Sequence, residues 1–88
     1  SCREESMKLI QSVLAASKTA AVYLKPPAGV GFAQATKLRD QLRQELRSDR
    51  VYLWSQSTGE MDPLCSVELG GQVVEVFSGR TFTREAQS

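Results

Sequence analysis

The 88-residue sequence contains no histidine. Without imidazole there is no Ser-His or Cys-His nucleophile pair, and the usual zinc and haem ligand sets are missing. Cysteine is almost as scarce, with only Cys2 and Cys65 present. Two thiols cannot build a zinc cage, so neither a metal site nor a cofactor is expected. A Cys2–Cys65 disulfide would need an oxidising compartment and would have to reach a terminal residue. Two reduced thiols, and with them an intracellular chain, are the expectation, although a cysteine so near the start also admits a lipid-anchored form. Charge of one sign is not in excess either: the net charge of +1 gives no strong global pull toward nucleic acid or anionic lipid. No apolar run approaches the roughly 18 residues needed to span a bilayer, and no basic-then-apolar signal segment opens the chain. A membrane partner is therefore not expected.

The apolar share of 41% against 24% charged is enough for one modest core, so residues 1–88 are expected to form a single domain with an ordered body over about 4–82. There is no internal repeat, linker or low-complexity stretch. The chain opens on Ser1 rather than Met, and a domain excised from a longer protein is the expectation.

The patterning predicts six elements. Residues 3–17 read as a helix, with Met7, Ile10, Val13 and Leu14 on one face and Glu4 and Glu5 suited to the positive end of its dipole. Residues 18–25 turn to small, β-branched and aromatic side chains and read as a strand, ended by Pro26-Pro27, which cannot donate ladder hydrogen bonds. Gly29 and Gly31 permit a sharp turn into a helix over 32–47, striped by Ala35, Leu38, Leu42 and Leu46. Residues 50–56 alternate as a strand, with Tyr52 and Trp54 on one side. Residues 57–63 read as a turn, and 64–69 and 72–78 as a hairpin around Gly70-Gly71. The order α-β-α-β-β-β predicts an α/β two-layer sandwich: one mixed sheet, two helices and a right-handed crossover between the first two strands. The strand over 72–77 is a candidate sheet edge that pairs with another chain.

Several groups could carry chemistry. Arg39, Arg43, Arg47 and Arg50 recur at close to helical spacing and could contact phosphates or nucleic acid. Asp40, Glu45 and Asp49 interrupt them, which favours a solvated, internally paired face. Gly29 and Gly31 precede a helix N-terminus, but no complete phosphate-loop motif accompanies them. Cys65 is a candidate redox thiol, set against the commoner role of a small buried hydrophobe. Tyr52 and Trp54 suit either the core or an interface anchor. Glu60 and Asp62 are neighbouring carboxylates in a turn, without the setting that acid–base catalysis requires.

The Gly-rich turn before the first crossover helix, together with Pro63, Gly71 and Gly79 at eight-residue steps, resembles the thioredoxin fold. The chain is most similar in pattern to the small thioredoxin-like selenoproteins W, H and T and their cysteine homologues. Gly29-Val30 followed by Ala35, Leu38 and Leu42, and the later run Glu75-Val76-Phe77-Ser78-Gly79, carry that likeness over residues 20–82. In this register Lys25-Pro26-Pro27-Ala28 stands where the family has Cys-x-x-Cys or Cys-x-x-selenocysteine. Dithiol exchange needs a thiolate and a resolving sulfur, and neither Lys25 nor Ala28 can supply one. The resemblance therefore implies a thioredoxin-like module that has lost its chemistry. It implies docking of a protein partner, or of the parent chain, against Lys25, Pro26, Pro27, Ala28 and Phe32 with Pro63 beside them. A single-thiol redox protein using Cys65 and a nucleic-acid binder using the arginines are the alternatives.

Overall fold

The computed structural model describes residues 2–55 and 61–81. Helix α1 spans Cys2–Ala16, strand β1 Ala20–Lys25, helix α2 Phe32–Leu46, strand β2 Val51–Leu53, strand β3 Asp62–Leu69 and strand β4 Gln72–Arg80. Both helices pack on one face of a four-stranded mixed sheet, giving the expected α/β two-layer sandwich in the order α-β-α-β-β-β.

The sheet order is β2-β1-β4-β3. β1 and β2 are parallel, joined through α2, while β4 runs antiparallel to both β1 and β3. β4 is thus an inner strand, which corrects the expectation that 72–77 forms an edge. Its two sides are taken by β1 and β3, so among the described residues the edges are β2 and β3.

Alternation along the strands separates the two faces. Val22, Leu24, Val51, Val67, Leu69, Val74 and Val76 point toward the helices and close a core with Ile10, Leu14, Leu38 and Leu42. Tyr23, Lys25, Glu75, Phe77, Pro63 and Ser66 point to the other, helix-free face, as their pairing dictates. Among the described residues the core contains no buried polar or charged side chain. Its stability therefore comes from apolar burial, and emptying a site such as Leu42 or Leu38 carries a cost of about 2–5 kcal/mol.

Two local departures from the sequence expectation have simple causes. β2 covers three residues instead of 50–56, although Trp54 N still donates to Leu24 O at 2.8 Å just beyond it. β3 begins at Asp62 rather than 64 and includes Pro63, which a strand tolerates only at an edge or bulge; both conditions hold, since the register shifts between Pro63 and Cys65. Residues 57–60 of the expected turn, and Gln56 at the end of the expected strand, lie outside the described residues. At the hairpin tip, Gly70 and Gly71 have φ of 54° and 79°, a conformation that a side chain would strain.

Candidate functional site

The turn from Pro26 to Gly31 leaves β1 at its C-terminal end and delivers the chain to α2. Pro26 is half-buried, while Pro27, Ala28 and Gly29 face solvent. Val30 N donates to Pro27 O at 3.3 Å and Ala35 N to Gly31 O at 2.9 Å, which ties the turn to the first helical turn. Gly31 caps α2 without any side-chain hydrogen bond. Phe32, the first helical residue, is 80% exposed, whereas Val30 beside it packs against the core. The turn holds no nucleophile, acid or base. Lys25, the last residue of β1 and the charged group next to the turn, lies over the Trp54 ring with Nζ 4.5 Å from the centroid.

Pro63 is placed elsewhere. The thioredoxin resemblance implies that this proline neighbours the turn. In the fold it pairs with Phe77, which pairs in turn with Tyr23, so β4 lies between Pro63 and β1. No cis peptide bond occurs among the described residues. What connects Lys25 to Pro63 is the helix-free face, where one register level reads Tyr52, Tyr23, Phe77, Pro63 across all four strands. The Tyr23 and Tyr52 rings sit 5.4 Å apart. Tyr23 is buried, and its hydroxyl donates to Arg80 O. Desolvation, with the neighbouring Tyr52 hydroxyl, pushes the Tyr23 pKa up. Gly79 leaves room for that ring, because a Cβ there would stand 3.1 Å from Tyr23 Cε1 and 3.2 Å from Met61 Cγ.

The arginines do not form a free cationic stripe. Arg50 donates to Ser17 O at 2.8 Å, Ala20 O at 2.6 Å and Leu14 O at 3.0 Å, clamping the C-terminal end of α1 to the sheet. Arg43 Nε donates to Val51 O at 2.9 Å, and the guanidinium stacks 5.8 Å from the Tyr52 ring centroid. Arg39 pairs with the adjacent Asp40 at 3.0 Å. Arg47 is exposed, ending α2 in the left-handed region at φ 54°. Spacing alone could not reveal these assignments, because the acceptors are mostly backbone carbonyls brought near by the fold.

Cys2 and Cys65 are both free thiols. Cys65 faces the core side of β3, with the Ser6 side chain as a hydrogen-bond partner, and burial pushes its pKa up. A thiolate nucleophile needs the opposite shift. Sequence reasoning missed Arg3, which joins three elements: Nε donates to Glu68 O at 3.2 Å and Nη2 bonds Glu45 Oε1 at 2.6 Å. That pairing, assisted by Gln41, holds the Glu45 carboxyl below the ordinary carboxylate range.

A cavity of about 650 Å³ is an open groove at the other end of the sheet, lined by Val13, Ala16, Tyr23, Met61, Gly79 and Arg80 among others. Among the described residues no cluster of His, Cys, Asp or Glu is arranged to hold a metal, and every buried side-chain polar atom has a partner. No described helix is long and apolar enough to cross a membrane. No family model matches this chain, and no curated protein or solved structure matches it either.

Proposed function

We propose that this chain is a non-catalytic interaction module that docks a protein partner, or another part of its parent chain, through the Lys25–Phe32 turn. The observation that carries the reading is Phe32: a large aromatic side chain, 80% exposed, fixed at the first position of α2 by a Pro-Pro turn. An exposed aromatic on a rigid turn is the kind of anchor that dominates interface energies. The cation–π pair of Lys25 and Trp54 lies at the end of β1, where the turn begins, and supplies a polar rim. From there the helix-free face continues the surface as far as Pro63.

The competing readings draw less support. A redox role for Cys65 meets a thiol whose pKa is raised by burial. A nucleic-acid role meets guanidinium groups at Arg43 and Arg50 that are already spent on backbone carbonyls. The resemblance to thioredoxin-like proteins supports docking near the turn and says nothing of the partner's identity.

Photo-crosslinking tests the proposal. Benzoylphenylalanine placed at position 32 should yield a discrete adduct in a lysate of the source organism, and the same probe at exposed Lys8 on α1 should not. Identical adduct patterns from the two positions, or none from position 32, would overturn it.

A further inference from the structure

Both edges of the sheet carry outward carbonyls that another strand could use, and in both cases a helix side chain occupies them. On β2, Arg43 Nε donates to Val51 O. On β3 the arrangement is more extensive: Arg3 Nε donates to Glu68 O at 3.2 Å and Ser6 Oγ to Ser66 O at 2.7 Å. Ser66 and Glu68 are alternate residues, so these are successive outward-facing acceptors of the edge strand. Arg3 is itself anchored by Glu45 of α2 at 2.6 Å, which fixes it over the edge. β3 is eight residues long, against three for β2, and an edge strand of that length pairs readily with another chain unless something blocks it.

We infer that the first turn of α1 is an edge guard: Arg3 and Ser6 hold β3 closed to strand addition, and the strand they exclude is β3 of a second copy of this chain. Self-pairing is favoured by the strand's own pattern. Antiparallel pairing centred on Ser66 is isologous: Ser66 meets its own symmetry mate, and the residues on either side of it pair reciprocally. It sets Glu68 of each copy across from Leu64 of the other, so no two acids face one another. A net charge of +1 adds almost no long-range repulsion between copies. The bulge at Pro63–Cys65 ends the pairing at Leu64 and so confines it to the Leu64–Glu68 part of the strand, the part the two side chains cover.

The test is self-association of the Arg3→Ala/Ser6→Ala double variant, followed by sedimentation under reducing conditions with circular dichroism to confirm the fold. Wild type should sediment as a 9.7 kDa monomer, and the variant should self-associate at least about tenfold more tightly. Adding Ser66→Pro removes an outward N–H without breaking a ladder bond to β4, and it should return the variant to monomer. A folded double variant that associates no better than wild type would overturn the inference. So would association that Ser66→Pro does not relieve, or a wild type that is already a dimer through this strand.

Discussion

Replacing Arg50 by alanine separates a structural arginine from an anion-binding one. The guanidinium serves three backbone carbonyls, those of Leu14, Ser17 and Ala20. α1 has no basic residue in its own last turn, so Arg50 also provides the cation that the negative end of this helix favours. The Ser17 carbonyl faces solvent and can turn to water, whereas the bonds to Leu14 and Ala20 are partly buried. Stranding two such acceptors at about 1–1.5 kcal/mol each gives a loss of about 2–3 kcal/mol. For a domain of this size each kcal/mol moves Tm by about 4–8 °C, so Arg50→Ala should melt roughly 10–20 °C below wild type. Arg50→Lys retains the charge but not the fork of donors, and it should recover about half of the loss. Thermal denaturation followed by circular dichroism measures both, and hydrogen exchange should show the C-terminal turn of α1 opening first in the alanine variant. A loss below about 0.5 kcal/mol, or a lysine variant as stable as wild type, would refute the clamp and return Arg50 to the pool of free cationic groups.

Three further outcomes follow from the same contacts. Iodoacetamide at neutral pH should modify exposed Cys2 well before Cys65, whose thiol burial keeps protonated; mass spectrometry of partly labelled protein reads the order. Glu45 has its folded-state pKa lowered, so its contribution is present above the ordinary carboxylate range and is lost as pH falls through the folded value. Glu45→Gln should therefore flatten the acid limb of a denaturant-midpoint profile, with little further change between pH 6 and 8. Arg47 ends α2 at φ 54°, where glycine is at ease. Arg47→Gly should raise stability by about 0.5–1 kcal/mol in urea titration, and a destabilised variant would mean that the Arg47 side chain holds a contact of its own.

Much of this fold is written in local patterns. The stripes of Ile10 and Leu14 in α1 and of Ala35, Leu38 and Leu42 in α2 are the residues that become buried, and both helix boundaries fall within a residue of their periodicity. The Gly70-Gly71 hairpin is equally visible, because only those two positions demand positive φ there. Strand order is different in kind. β3 and β4 are both flanked by turn residues and both alternate, so nothing local says which of them lies against β1. That choice rests on long-range pairing, and it is why the expected edge strand proved to be an inner one. The candidate site divides in the same way. The exposed turn and Phe32 could be read from prolines and glycines, whereas the separation of Pro63 from the turn follows from β4 lying between them. The roles of Arg3, Arg43 and Arg50 depend on carbonyls distant in sequence, and a pattern of charges could not specify them.

The central claim is that Phe32 serves an interface and not the fold, and one comparison tests it most directly. Phe32→Ala should change unfolding free energy by less than about 0.5 kcal/mol, as for other exposed positions. The same variant should weaken binding to the protein that crosslinks at position 32 by at least about tenfold, in line with truncation of an aromatic anchor. Unchanged affinity, or a loss of stability comparable to that of a core residue such as Leu42, would contradict the account.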